Sequence, residues 1–530
     1  MDTQSSRFYN FFNERLGLKG GFNISDDELI VGPSEMSVAK NVLIGQTLSR
    51  KKRPGLDAYH TSSYEGTASY PSSGVPIRGI LQYYRYGSGT GEVYEDVFLH
   101  QAAKVWSIDT RTSPGVDRTG SLTLSTTAIP CYQVFEGILY FVSSDVADGY
   151  NKWNGLAATP GNAESATGPA DGDGTLLGTY AGRMLMAGNP DFPFRLYISA
   201  ALDAEDWASM DATSIDLSYD GDPVGITAVF PELNGRCYIA TRRSIYELTG
   251  TTVSDLSVTR VTRGVGCVGF GTVVAVPNDI LFASTRGVHS LKKVVVSDQS
   301  EITFLSRDIQ KLWVSMLNAQ RLRYGQATWD ESLNLYVLTV PTSGQSTNDT
   351  VLVYNMTYGY WTLWDDVDAR SVSTVLIQDQ QYVLTGRENG RIAFLNPTKT
   401  TDFGSGYTFQ MRTGKFFPDS KMTNEFKFMS VTALFSVTQP SNISVGWSID
   451  SRDGTRTGSR TAVLGTGTDV LGSSFVLGES SLGLGSFLPV RFSIEETGYN
   501  FRLEITAGGT SDVNFLGWIL EVEDANPNYT

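Results

Sequence analysis

A strand-like run recurs through the middle of the 530-residue chain, and nothing else restricts the fold as much. Each run opens on a Gly or Asn turn or a short apolar stretch and continues with alternating residues rich in Tyr, Phe, Leu and Val. The runs lie at 97–99, 137–142, 182–187, 235–240, 278–283, 334–338 and 381–384. Phe98, Tyr140, Leu185, Tyr238, Phe282, Tyr336 and Tyr382 serve as anchors, and successive anchors differ by 42, 45, 53, 44, 54 and 46 residues. A second β-rich run follows each anchor, such as 194–200, 244–250 or 390–398. Three or four short strands per repeat is the pattern of propeller blades. One small twisted sheet cannot bury both faces alone. Stacking such sheets around an axis buries the faces and protects the edges. The prediction is an all-β fold with a β-propeller of about seven blades over residues 76–400. A pair of β-sandwiches with accidental spacing is the competing layout.

The period is interrupted once. Over 306–318, Ile309, Leu312, Trp313, Met316 and Leu317 form the stripe of an amphipathic helix, with Ser306 as its N-cap. The stripe is expected to cover a blade edge. After residue 400 the strands lengthen and lose the period, which predicts a β-sandwich or jelly-roll-like domain over 401–530. Within it, the Gly/Ser/Thr-rich stretch 454–486 reads as a loop that touches a partner.

Residues 1–75 read as an N-terminal arm with a short helix. Over 5–16, Phe8, Phe11, Phe12 and Leu16 share one helical face, which needs a partner surface in its own chain or in a neighbour. The run Arg50-Lys51-Lys52-Arg53 is either a solvated turn or a contact with an acidic neighbour or a DNA backbone. Those eight residues are the candidate interface.

The net charge of −15 argues against a general nucleic-acid binder, though an acidic pore wall would let DNA slide without sticking. Cys131, Cys237 and Cys267 give no disulfide framework, which predicts folding in a reducing cytoplasm. No apolar run reaches the length of a membrane-spanning helix, and the N-terminus lacks the apolar core of a signal peptide. His60, His100 and His289 are far apart, and no zinc, nucleophile-elbow or Walker motif occurs. Gly264, Gly266 and Gly269 match G-x-G-x-x-G, but a strand pattern follows them, so they read as a turn between blades. Asp171 and Asp173 resemble a fragment of a calcium loop without its remaining ligands. The sequence 451–454 resembles an Asp-box with altered spacing. Trp361 and Trp364 read as core aromatics in preference to a sugar-stacking platform. No catalytic residue, cofactor or metal site is expected, and the chain is read as a non-enzyme.

One resemblance adds to this. Gly20-Gly21-Phe22-Asn23, a short acidic stretch, Asn41-Val42-Leu43, then basic residues and Arg53-Pro54-Gly55 are similar to the opening of tail nozzle and hub proteins of short-tailed bacteriophages, including head-completion and packaged-DNA stabilisation factors. The resemblance covers residues 20–55 and the propeller-like middle. It implies a virion tail protein made in the host cytoplasm. It also implies a homo-oligomeric ring, a hexamer, below portal and adaptor proteins. The ring would extend the DNA channel, retain the genome without sequence-specific binding, and dock tail fibre or needle/tip proteins. The family carries no catalytic residues, so none transfer. A carbohydrate-binding or carbohydrate-cleaving propeller in receptor recognition is the alternative.

Overall fold

The computed structural model describes residues 6–12, 20–45, 48–60, 74–86, 93–108, 115–155, 159–162, 169, 171–219, 221–294, 299–377, 380–419, 423–437, 441–464 and 488–525. The described residues are nearly all β, with 55% strand and 4% helix. It forms two compact units: residues 1–56, 353–366 and 396–530 make unit 1, and residues 57–352 and 367–395 make unit 2. No described helix is long and apolar enough to cross a membrane.

Unit 2 is a succession of four-stranded antiparallel sheets, as in a β-propeller. The first five open with the strands Ile77–Tyr86, Pro130–Phe135, Leu176–Tyr180, Ile226–Val229 and Val274–Val276, and each takes its four strands in chain order. A sixth group begins at Gln326–Asp330 and Leu335–Val340. The last sheet contains Ala369–Ile377, Gln380–Arg387 and Ile392–Asn396, and takes its fourth strand from Gly55–Ala58, far upstream. Every sequence anchor falls on the second strand of its group. Phe98, Leu185, Tyr238, Phe282 and Tyr336 are fully buried there.

Apolar faces meet sheet against sheet. Phe98 and Tyr83 of the first pack with Phe141 and Trp153 of the second. Tyr140 packs with Met184 and Met186 of the third. Leu185 and Leu196 pack with Ile239 and Tyr246 of the fourth. Tyr238 and Ala240 pack with Ile280 and Phe282 of the fifth. Leu384 and Phe394 of the last sheet pack with Ile77, Leu99 and Trp106 of the first. The succession therefore closes on itself, and no large sheet face is left to solvent. Hydrogen bonds follow the same order. Tyr336 Oη donates to the Thr272 carbonyl at 2.9 Å, and Ser371 Oγ donates to the Ile77 carbonyl at 2.9 Å.

The turn grammar has a backbone cause. Asn234 and Gly235 sit at φ 52° and 76° between paired Leu233 and Arg236. Two consecutive left-handed residues make the tight hairpin whose twist matches that of the flanking strands. The inserted helix is shorter than its stripe. A 3-10 turn at Arg307–Ile309 leads into Gln310–Ser315. Ser306 makes no side-chain cap. Its Oγ instead accepts from Val288 N at 2.9 Å.

Unit 1 has a different construction. One sheet orders Val42–Ile44, Arg50–Lys52, Asn514–Asp524, Phe426–Ser436 and Leu488–Gly498. A second contains Tyr360–Trp364, Met36–Lys40, Phe409–Thr413, Arg502–Ala507, Ser441–Ser451 and Gly454–Leu464. Phe501 lies 5.7 Å from Phe428 and 5.5 Å from Trp518, which joins the layers in an aromatic core.

Four expectations need correction. Residues 7–12 form a strand, not a helix, pairing antiparallel with Asn514–Asp524. Tyr9 and Phe11 turn inward while Phe8 stays exposed, an alternation of period two. Phe11 stacks on Trp518 at 4.1 Å, and this packing at a sheet edge outweighs the weak helical stripe. The N-terminal segment is not a separate arm, because 20–56 supply strands and bridges to both sheets of unit 1. Residues 353–366, expected in the propeller, also belong to unit 1. Part of the Gly/Ser/Thr stretch, 454–464, is a strand, and 465–487 lie outside the described residues.

Candidate functional site

Arg50–Lys52 of the basic run is strand, and its side chains alternate. Lys51 is exposed, whereas Arg50 and Arg53 have no solvent exposure and Lys52 has 5%. Arg50 donates to the carbonyls of Leu48, Gly20 and Ser34 at 2.5, 2.7 and 3.2 Å. Burial holds its guanidinium down to about 10. Lys52 Nζ donates to the Gly509 and Ser511 carbonyls and lies over the Tyr407 ring. Burial, then Arg53 beside it, brings the Lys52 ammonium down to about 8. Arg53 forks onto Asp402 at 3.0 and 2.5 Å. Three of the four cations thus place their donors on acceptors of their own chain, Arg53 on a carboxylate. The surface-contact expectation narrows to Lys51 and the exposed Phe8. The Phe12 side chain and the whole of Leu16 lie outside the described residues.

The three segments of the phage-tail resemblance meet in this same place. Asn41, at φ 55°, donates through Nδ2 to Asp365 Oδ1 and the Thr408 carbonyl, and accepts through Oδ1 from Arg53 Nε and Asp365 N. All four bonding positions of the amide are used. Phe22 N donates to the Trp361 carbonyl, and Asn23 holds Asp26 and Glu35. Trp364 Nε1 donates to the Val42 carbonyl at 2.9 Å. A Cβ on Gly55 would stand 2.2 Å from the Thr401 carbonyl oxygen, so only glycine fits. Trp361 and Trp364 are buried in this knot.

A concave site lies elsewhere, within unit 2. A cavity of 920 Å³ is lined by Arg78, Ile129, Ser144, Thr175, Gly188, Val224, Arg321, Arg323, Tyr324, Arg370 and Glu388, among others. The lining residues share one phase of the repeat. Arg78 and Arg370 begin the first strands of their sheets. Ile129 and Thr175 directly precede first strands, Val224 lies two residues before one, and Ser144, Gly188 and Glu388 directly follow second strands. One end of each first hairpin therefore converges on a common space. An adjoining cavity continues it past Arg242, Val268 and Thr285 of the fourth and fifth sheets.

Arginine dominates the first cavity. Burial and Arg370 nearby lower the Arg78 guanidinium, and Glu388 opposes this. Burial also lowers Arg370, with Glu388 opposing and Arg321 adding to the shift. The Arg321 and Arg323 guanidiniums lie 5.4 and 4.7 Å from the Tyr324 ring centre, and Arg323 Nη2 donates to Tyr324 Oη at 2.7 Å. Sequence reading did not single out these arginines. Arg78 and Arg370 stand at the start of a first strand, and Arg321 and Arg323 in the segment leading into one.

Asp171 accepts from Arg195 and Tyr197. Residues 451–454 are the turn of a hairpin. His100 and His289 sit among aromatic rings, and the three cysteines are buried and unpaired with each other.

No family model matches this chain, and no curated protein matches it. Solved structures share similarity at low identity. Virginiamycin B lyase from Staphylococcus aureus is 8% identical, with a TM-score of 0.40, covering 61% of this chain and 96% of that one. YCF48 from Cyanidioschyzon merolae is 9% identical, with a TM-score of 0.37, covering 65% and 99%. The Pan2 WD40 domain of Neurospora crassa is 8% identical, with a TM-score of 0.36, covering 65% and 94%.

Proposed function

We propose that the chain is a non-enzymatic virion protein of a short phage tail, a nozzle or hub subunit that assembles into a ring below the portal and adaptor. In this reading unit 2 is a seven-bladed propeller whose last blade is closed by Gly55–Ala58, and unit 1 is a β-sandwich. The observation that carries the reading is the knot. Gly20–Asn23, Asn41–Leu43 and Arg53–Gly55, the segments that resemble tail nozzle and hub proteins, are joined through Asp365, Asp402 and Trp361. A similarity confined to surface turns would carry little. A similarity in residues that tie one fold together carries more. The net charge of −15 suits a channel wall past which DNA slides, in a hexamer that retains the genome and docks fibre or tip proteins. Negative-stain electron microscopy of the purified chain, alone and with portal–adaptor complexes, tests it. Closed rings with a duplex-wide channel are expected in at least one of the two. Isolated particles in both would reject it.

A further inference from the structure

We propose that the convergent end of unit 2 binds a small anionic ligand, an oxyanion group (carboxylate or phosphate) carried on a hydroxylated scaffold. The inference is independent of the tail reading. The chain as a whole is acidic, yet this cavity collects Arg78, Arg321, Arg323 and Arg370 against two carboxylates. Glu388 offsets part of this charge, but two carboxylates against four guanidiniums leave an excess of positive charge. Asp145 accepts from Ala147 N at the start of a 3-10 turn. Glu388 Oε2 stands 4.0 Å from Arg370 Nε, beyond hydrogen-bond reach. Among the described residues, Arg78 Nε and Arg370 Nη1 are buried donors with no hydrogen-bond acceptor, and Glu388 Oε2 is a buried acceptor with no donor, so the unfilled donors outnumber it. Like charges brought together with donors unfilled are costly, and an oxyanion supplies both countercharge and acceptors. The planar guanidinium suits carboxylate and phosphate equally, so the shared oxyanion chemistry is the assignment.

The rest of the wall mixes small polar residues with apolar ones such as Ile129, Val146 and Val224. Ser125, Thr127, Ser346 and Thr347 put hydroxyls around the cavity, and Tyr324 holds Arg321 and Arg323 beside it. Such groups match the hydroxyls of a sugar acid or sugar phosphate. A space of 920 Å³ suits an oligosaccharide-sized ligand, and the surrounding negative charge disfavours a long polyanion.

The test is titration calorimetry of the full chain at low salt with four probes: trigalacturonic acid, glucose 6-phosphate, neutral maltotriose and inorganic phosphate. Saturable one-site binding of either anionic sugar is expected, at least about tenfold tighter than maltotriose. Arg370→Met is expected to weaken it about tenfold or more, with Arg370→Lys recovering only part. Arg321→Ser with Arg323→Ser, both exposed positions, replaces that variant if Arg370→Met misfolds, and it should also weaken binding. No saturable binding of either anionic sugar overturns the proposal. Affinity unchanged by the arginine variants overturns it too. Inorganic phosphate binding as tightly as the sugars overturns the hydroxylated scaffold, and equal binding of maltotriose overturns the anion. Ring formation is unaffected by any of these results, so the two readings fail separately.

Discussion

Unit 2 draws most of its sheets from strands that follow one another in the chain, with hairpin turns such as Asn234–Gly235 setting the register. Unit 1 draws its two sheets from segments hundreds of residues apart, and buried charge joins them: Asn41 with Asp365, Arg53 with Asp402, Lys52 with the Ser511 carbonyl. Apolar packing between neighbouring sheets stabilises unit 2. Long-range polar geometry specifies unit 1. The difference teaches that a buried cation run is not a surface signal when each charge has an acceptor of its own chain.

Removing one member of the knot should have the largest effect. Arg53→Ala leaves Asp402 without its fork and should cost about 3–5 kcal/mol, read as a shifted urea transition for unit 1 probes such as Trp518. Phe98→Ala should cost about 3–4 kcal/mol through a cavity between the first two sheets, read by probes in unit 2. If each variant shifts both sets of probes equally, the contrast between the units is broken.

Acid should sharpen the contrast, because all three histidines lie in unit 2. Burial holds His289 down to about 4, from an ordinary value of 6.5. The unfolded chain binds that proton more readily between those values. The histidine's contribution is therefore full above pH 6.5 and is lost as pH falls toward 4, at about 1.4 kcal/mol per pH unit. His289→Phe, beside Phe282 and Phe304, should flatten that slope in thermal melts. Gly235→Ala places a methyl in open space at φ 76° and should cost about 1 kcal/mol, for backbone reasons alone. Lys51→Ala, on an exposed side chain, should change stability by less than about 0.5 kcal/mol.

The contrast also explains what was legible beforehand. Phe98, Tyr238 and Tyr336 announce their strands because a local repeat writes the same alternation again and again. Arg50, Lys52 and Arg53 do not announce their burial, because their acceptors at Gly20, Ser511 and Asp402 are remote in sequence. Phe8 and Phe11 fit a helical spacing and a strand alternation alike, and only the distant partner strand at 514–524 decides. The cavity arginines share no motif. Circular closure of the sheets makes them neighbours, and sequence spacing does not express it.

Hydrogen exchange of the Asn41→Ala chain against the parent tests most directly the claim that the motif residues are the architecture of unit 1. The account predicts faster exchange across 20–23, 41–53, 360–365 and 407–413, with the second strands of unit 2, such as 237–241 and 279–284, unchanged. Exchange that stays at parental rates in those four segments, or that rises as much in the unit 2 strands, would contradict it.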